Sequence, residues 1–127
     1  MQEATDSKAP VLVVDDNRDV REALRMMLES EGLDVETAAD GEQALRRMRE
    51  SPPAVVLLDL NMPHLDAYGF REEQRRDPAL MKIPVVLYSG ASDVGEAAAA
   101  LGIEAWFAKP FDLDRILTLL ERFVRFA

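Results

Sequence analysis

Short apolar segments alternate with helical patterns along the whole chain, and this alternation constrains the fold more than any other feature of the sequence. Five segments have the length and composition of strands, namely 11–14, 33–38, 54–58, 84–88 and 105–107. Continuous apolar runs of this length are typical of strands buried on both faces of a parallel sheet. The sequence therefore predicts an α/β fold, a doubly wound five-stranded parallel sheet with helices on both faces.

Helical patterns follow the predicted strands. The first begins after Asn17, a residue type that is favoured at helix N-caps. The fourth predicted helix is short and covers residues 97–101. Met26, Met27 and Met48 follow helical spacing, and we expect all three to be core residues.

The composition fits one domain and weighs against several classes of protein. The chain has 127 residues, 48% of them apolar, and no cysteine, so it can bury a core without disulfides. Residues 1–9 are predicted to form a flexible tail and residues 10–127 a single domain. A net charge of −9 argues against direct contact with nucleic acid. We expect a cytoplasmic protein without a membrane partner, because the sequence shows neither a bilayer-length apolar run nor a signal-peptide core.

Aspartates follow two of the predicted strands. Asp15 and Asp16 come directly after the first strand, and Asp59 comes directly after the third. Sites in open α/β sheets lie at the carboxyl ends of the strands, so these side chains converge if the two strands are neighbours. Converging carboxylates repel one another and call for a cation. Carboxylate and carbonyl oxygens favour Mg²⁺, which is the metal that the sequence predicts here.

Two other strand ends carry groups that can interact with an anion. Ser89 ends the fourth predicted strand, and Lys109 follows the fifth. A hydroxyl and an ammonium group opposite a metal ion would bracket a phosphoryl group bonded to Asp59. Pro110 indicates a fixed turn after Lys109, and a cis peptide bond between the two is compatible with such a turn.

Four motifs together give the sequence a resemblance to a known family. They are Val-Leu-Val-Val-Asp15-Asp16-Asn17, Val-Leu-Leu-Asp59-Leu-Asn61-Met62-Pro63, Ser89 thirty positions after Asp59, and Trp106-Phe-Ala-Lys109-Pro110-Phe111. In this order and spacing, about residues 10 to 125 resemble the response-regulator receiver domains of two-component signalling, in a stand-alone, single-domain form. The resemblance implies a flavodoxin-like sheet in the order 2-1-3-4-5. It also implies a signalling phosphoacceptor rather than an enzyme.

The resemblance further implies how the acidic residues act. Asp59 would accept the phosphoryl group. Asp16 and Asp59 would bind Mg²⁺ directly, Asp15 would bind it largely through water, and the backbone carbonyl of Asn61 would complete the protein ligands. Mn²⁺ could substitute for Mg²⁺.

The resemblance also implies partners and a switch. Ser89 and Lys109 would hold the phosphoryl group, and Ser89 with Trp106 would change a partner-binding face. The phosphoryl group would come from a histidine kinase, a phosphotransfer protein or a small phosphodonor, and a downstream protein would read the signal. We expect a monomer or a weak dimer.

Two departures from the family pattern lead to further predictions. Ala67 stands where receivers usually have glycine, so the backbone would be strained there if it needed a positive φ. The span from Ser89 to Lys109 is about two residues shorter than in typical receivers and contains Gly95, a poor helix former. We therefore expect a short or partly unwound fourth helix.

Three other functions share part of this pattern. A Mg²⁺-dependent aspartyl phosphatase would need an acid two residues after its nucleophile, where this chain has Asn61. A flavin- or nucleotide-binding module would need a glycine-rich loop after the first strand, where this chain has Asp16 and Asn17. A degenerate receiver that acts by protein binding alone is left open by Ala67 and the short helix. His64 is predicted to be a bystander near the site.

Overall fold

A computed structural model describes residues 9–62, 65–90 and 93–124. Five parallel strands form one sheet in the order β2-β1-β3-β4-β5, which confirms the predicted sheet. In chain order the strands are β1 (Val11–Val14), β2 (Val35–Ala38), β3 (Val55–Asp59), β4 (Val85–Ser89) and β5 (Ala105–Ala108). The helices are α1 (Arg18–Glu29), α2 (Gly41–Glu50), α3 (Ala67–Arg76), α4 (Val94–Leu101) and α5 (Leu113–Leu120).

The register of the sheet brings the ends of the strands to one edge. Val14 of β1 pairs with Leu58 of β3, so the residues that follow them lie side by side. Asp59 of β3 pairs with Tyr88 of β4, and Ser89 pairs with Ala108 of β5. All these pairs are parallel, and therefore the polar residues after each strand share the same edge.

Alternate residues of the strands supply two separate cores, one on each face of the sheet. On one face, Leu12, Val56 and Leu87 pack in a cluster with the buried residues of α2, α3 and α4. On the other face, Val13 and Leu57 belong to a cluster with the buried residues of α1 and α5. Because both faces are covered, β1, β3 and β4 are buried along their whole length.

Side-chain caps fix where most of the helices begin. The side chain of Asn17 accepts hydrogen bonds from the backbone at the start of α1, as its position predicted. Asp40, Asp66 and Asp112 do the same for α2, α3 and α5. No helix in the described part of the chain has the length and apolar character that a membrane crossing requires.

Helix α4 is short, as predicted, although it begins three residues earlier than the sequence indicated. It has 8 residues, and Gly102 ends it with a left-handed φ of 71°. The guanidinium groups of Arg71 and Arg75 in α3 each donate to the carbonyl oxygen of Leu101, at 3.0 and 2.9 Å. The backbone N–H groups of Gly102 and Ile103 also donate to carbonyl oxygens in the last turn of α4. The C-terminus of α4 is therefore held both by its own cap and by α3.

The condition for strain at Ala67 is not met, and one prediction about a methionine is wrong. Ala67 is the first residue of α3 and is fully buried, so its backbone is helical with a negative φ and carries no left-handed strain. The Asp66 cap starts the helix directly, which removes the turn that would have needed glycine. Met48 is buried, but Met26 is 63% exposed because it lies on the outer face of α1.

Candidate functional site

Three carboxylates meet where β1 and β3 end. Asp15 and Asp16 follow β1 directly, and Asp59 is the last residue of β3. One oxygen from each side chain lies within 4.8 Å of the others. Asp15 and Asp59 are buried, whereas Asp16 is exposed and connects the cluster with solvent. The predicted convergence of the three residues is thus present.

The pKa of Asp59 reflects this crowding. Burial is the main cause that raises it, followed by the negative charge of Asp15, with a smaller contribution from Asp16. The positive charge of Lys109 and a hydrogen bond from the backbone of Asn61 act in the opposite direction. Together they raise the pKa of Asp59 from 3.8 to about 6. The ionised form of Asp59 is therefore unfavourable and would be stabilised by a nearby cation.

Both oxygens of the Asp15 carboxylate are held by donors from the protein. The backbone N–H of Asn17 donates to Oδ1 at 2.8 Å, and the hydroxyl of Tyr88 donates to Oδ2 at 2.7 Å. The guanidinium of Arg21 in α1 donates to the carbonyl oxygen of Asp15 at 2.8 Å. The position of this buried carboxylate is therefore fixed by β4 and by the start of α1.

Tyr88 is a residue of the site that the sequence did not predict. Its side chain is fully buried, and burial together with the charge of Asp15 raises its pKa well above the usual value. The hydroxyl therefore stays protonated and acts as a donor. A tyrosine in the apolar segment 84–88 was a signal of a buried polar group, because a buried phenol needs a partner. The identity of that partner depended on the neighbouring strand.

Ser89 and Asn61 connect the ends of β3 and β4. Ser89 is the last residue of β4 and is fully buried. The side-chain amide of Asn61 donates to Ser89 Oγ at 3.4 Å, and the backbone N–H of Asn61 donates to Asp59 Oδ1, also at 3.4 Å. Both bonds are long, so Asn61 is a loosely held bridge between the two strand ends.

Lys109 comes to the site from the end of β5. Its backbone N–H donates to the carbonyl oxygen of Ser89 at 2.9 Å. The peptide bond to Pro110 is cis, in agreement with the fixed turn that the sequence indicated. The ammonium Nζ lies 5.6 Å from the centre of the Tyr88 ring, within the range of a cation–π interaction.

Trp106 lies in the edge strand β5 and is half-buried. Its indole covers Gly95 in α4, where an added Cβ atom would lie 3.0 Å from Cζ2 of the indole. The guanidinium of Arg115 lies 5.9 Å from the centre of the same ring. Gly95, which looked only like a helix breaker in the sequence, thus makes the space that Trp106 occupies.

The structure brings together the predicted residues Asp15, Asp16, Asp59, Ser89 and Lys109 at one edge of the sheet. The carboxylate oxygens of Asp15, Asp16 and Asp59 are hard ligands, so this acidic cluster could hold a divalent cation such as Mg²⁺. Pro63 and His64 lie outside the described residues, and the prediction for His64 remains a prediction.

Comparisons with known proteins agree with this geometry. The family model described as the response regulator receiver domain matches residues 11–121. The probable transcriptional regulator ycf27 of Porphyridium aerugineum is 38% identical over 121 residues, which cover 91% of this chain and 49% of that protein. The response regulator MprA of Mycolicibacterium vanbaalenii is 35% identical over 117 residues, which cover 91% and 50%. The chain therefore spans about half the length of these curated relatives.

Solved structures show the same fold. The chemotaxis response regulator CheY4 of Vibrio cholerae superposes with a TM-score of 0.80 at 30% identity, covering 91% of this chain and 98% of that one. A response regulator receiver protein from Pseudomonas putida gives a TM-score of 0.80 at 31% identity, covering 91% and 97%. The five-stranded order, the acidic edge and the family match over most of the chain lead to one conclusion: this chain belongs to the response regulator receiver domains of two-component signalling.

Proposed function

We propose that this chain accepts a phosphoryl group on Asp59. The observation that carries the proposal is the meeting of three carboxylates, within 4.8 Å of one another, at the ends of two neighbouring strands. Asp59 is the member of the cluster that also pairs with β4, the strand that ends in Ser89. It is therefore the carboxylate that lies between the acidic residues and the hydroxyl and ammonium groups.

The acidic cluster is proposed to hold Mg²⁺, with Mn²⁺ as a substitute. Asp16 and Asp59 would be direct ligands, Asp15 would act through water, and the backbone carbonyl of Asn61 would add an oxygen. The raised pKa of Asp59 is consistent with this assignment, because burial and, after it, the charge of Asp15 disfavour the ionised carboxylate, which a bound cation would stabilise. When bound, the metal supplies positive charge that offsets the charge of the transferring group.

In the proposed reaction, a carboxylate oxygen of Asp59 forms a new bond to phosphorus. The bond from phosphorus to the donor atom breaks, and its electron pair leaves with the donor. Lys109 and Ser89 would interact with the phosphoryl oxygens, the first through charge and the second through its hydroxyl. The donor would be a histidine kinase, a phosphotransfer protein or a small phosphodonor such as acetyl phosphate.

Ser89 and Trp106 are the proposed route from phosphorylation to the surface. Ser89 ends β4, and Trp106 lies in the neighbouring strand β5. A shift of Ser89 toward a phosphoryl group would move β5 against α4, because the indole of Trp106 rests on Gly95. The face formed by α4 and β5 is therefore where a downstream protein would detect the change. With a net charge of −9, the chain itself is not proposed to bind DNA.

The proposal is tested by incubating the protein with Mg²⁺ and acetyl phosphate and measuring the intact mass. Wild type should gain one phosphoryl group, and Asp59→Asn should gain none. Asp34→Asn is the matched control, since Asp34 is an exposed aspartate before β2 and should leave labelling unchanged. Equal labelling of wild type and Asp59→Asn would overturn the assignment of Asp59.

The same experiment separates the other candidate functions. A stable, stoichiometric product fits a phosphoacceptor, whereas repeated turnover of a phosphoester would fit an aspartyl phosphatase. The amide of Asn61, which contacts Ser89, cannot serve as the general acid that such a phosphatase needs. Absence of labelling in wild type, with and without a kinase, would leave a receiver that acts by protein binding alone.

A further inference from the structure

The side chain of Tyr88 contacts the acidic cluster through its hydroxyl and the aromatic residues Phe107 and Phe111 through its ring. Its hydroxyl donates to Oδ2 of Asp15 at 2.7 Å, which is shorter than its 3.3 Å contact with the carbonyl oxygen of Val14. The carboxylate is the better acceptor of the two, because hydrogen bonds to charged groups are shorter and stronger. The principal partner of the hydroxyl is therefore a member of the acidic cluster.

The ring of Tyr88 is fixed by its neighbours. Phe107 of β5 stacks against it with ring centres 5.1 Å apart, and Phe111 contacts it edge-on at 5.7 Å. Phe107 and Phe111 also contact each other at 5.7 Å. Three mutually packed rings leave the phenol little freedom to turn, so the hydroxyl is delivered to Asp15 in one position.

Packing alone does not require the hydroxyl. A phenylalanine at position 88 would keep the ring contacts and would fill almost the same space. What the hydroxyl adds is the short hydrogen bond to Asp15 and the longer contact with Val14. The other oxygen of Asp15 is already held by the backbone N–H of Asn17 at 2.8 Å. With both bonds made, the buried carboxylate cannot rotate without losing a donor.

We propose that Tyr88 is a positioning residue for the cation site, and that its hydroxyl holds the Asp15 carboxylate in the orientation in which the acidic cluster binds a divalent cation. The inference rests on the proposed function of this site. Groups that orient ligands in this way typically change metal affinity by about 10- to 100-fold when they are removed. Tyr88 therefore ties cation binding at β1 to the aromatic packing between β4 and β5.

The test is Tyr88→Phe, with Mn²⁺ as the probe and the free ion counted by electron paramagnetic resonance. We expect the dissociation constant for Mn²⁺ to rise about tenfold or more. Phosphorylation by acetyl phosphate should slow at low Mg²⁺ and recover at saturating Mg²⁺, because the chemical groups remain in place. Tyr68→Phe is the matched control, since Tyr68 is 51% exposed on α3 and should leave Mn²⁺ binding unchanged.

A second measurement separates positioning from general stability. In an Asp15→Asn background, Tyr88→Phe should change the Mn²⁺ dissociation constant much less than it does in wild type, because the two residues act through one hydrogen bond. Unchanged or tighter Mn²⁺ binding by folded Tyr88→Phe would overturn the inference. Failure of wild type to take phosphate would overturn the proposed function alone, since the Mn²⁺ comparison would still stand. Absence of Mn²⁺ binding by wild type would overturn both.

Discussion

The carboxyl ends of β1 and β3 and those of β4 and β5 lie on the same edge of one sheet but are built from different side chains. The acidic end, formed by Asp15, Asp16 and Asp59 after β1 and β3, contains like charges that repel one another. The aromatic end, formed by Tyr88, Phe107 and Phe111 around β4 and β5, contains rings in mutual contact. Charge repulsion thus destabilises the acidic end, while side-chain packing stabilises the aromatic end.

This difference indicates how the two ends divide their tasks. The acidic end gains stability when a cation or a proton arrives, so it is suited to binding and chemistry. The aromatic end gains its stability from buried apolar area, which is independent of pH and metal, so it is suited to holding the site in place. The hydroxyl of Tyr88 is the point where the two ends meet.

The largest effect should come from Phe107→Ala, which breaks the aromatic end. Phe107 is 1% exposed, and its ring contacts both Tyr88 and Phe111. Removing a buried phenylalanine ring leaves a cavity and should lower the free energy of unfolding by about 3–5 kcal/mol. Urea unfolding followed by circular dichroism measures this loss, which should be similar in acidic and neutral buffer because no ionisable group is removed.

Phe123→Ala is the control for that experiment. Phe123 packs against the same cluster but is only half-buried, so the same substitution should cost clearly less. An equal loss for both variants would contradict the larger stabilisation that we assign to the fully buried ring of Phe107. A strongly pH-dependent loss for Phe107→Ala would contradict the division between the two ends.

Asp59→Asn, at the acidic end, should stabilise the protein rather than destabilise it, and the size of this effect should depend on pH. The pKa of Asp59 is raised from 3.8 to about 6 on folding. Ionising Asp59 therefore costs more free energy in the folded protein than in the unfolded chain. The cost is absent below about pH 4, grows as the pH rises, and is complete above about pH 6. Removing the charge should stabilise the metal-free protein at neutral pH by about 2–3 kcal/mol.

The measurement is the free energy of unfolding of wild type and Asp59→Asn from acidic to neutral pH in the presence of a chelator. The two curves should converge near pH 4 and separate above it. Asp34→Asn, at an exposed aspartate, should follow wild type throughout. If the free energies of unfolding of Asp59→Asn and wild type differed by the same amount at every pH, the electrostatic explanation would be wrong.

A smaller effect is expected on cation affinity. A proton on Asp59 competes with a metal at the same carboxylate, so the apparent dissociation constant for Mg²⁺ should be constant above about pH 6 and rise below it. Competition by one proton gives a rise of about tenfold per pH unit, or ~1.4 kcal/mol. Calorimetric titration across this pH range measures the curve. Affinity that stays constant below pH 6 would show that Asp59 is not a ligand.

The smallest effect should follow Gly95→Ala, which tests the contact of Trp106 with α4. Alanine is favoured over glycine in a helix by about 1 kcal/mol, but its Cβ would lie 3.0 Å from the indole. The two contributions oppose each other, so the free energy of unfolding should change by less than about 1 kcal/mol. The emission of Trp106, the chain's single tryptophan, should shift to the red as the indole moves toward solvent. An unchanged spectrum would show that Gly95 does not set the position of the indole.

Much of the fold and of the acidic end could be predicted from the sequence, for identifiable reasons. The apolar segments end where the strands end, and Asp15, Asp16 and Asp59 follow them directly, so a parallel sheet places all three at one edge. The Asn17 cap could be predicted because capping depends on residues only two or three positions away. The short α4 followed from the chain length between Ser89 and Lys109.

Other features could not be predicted, because they depend on which side of an element faces the core. Met26 and Met48 both follow helical spacing, yet one is exposed and the other is buried. Strain at Ala67 depended on whether its backbone needed a positive φ, and the Asp66 cap makes it the first residue of a helix instead. A helical or extended pattern defines a periodicity, and only packing decides where each face points.

The order of strands and helices and the identity of the carboxylates at the strand ends can be read from the sequence, since they follow from local pattern and from the rule that parallel strands end at one edge. The hydrogen bond from Tyr88 to Asp15, which lies 73 residues away in the chain, and the space that Gly95 leaves for Trp106 become apparent only in the folded protein. Such contacts depend on the packing of side chains from different strands and helices, which no local pattern encodes.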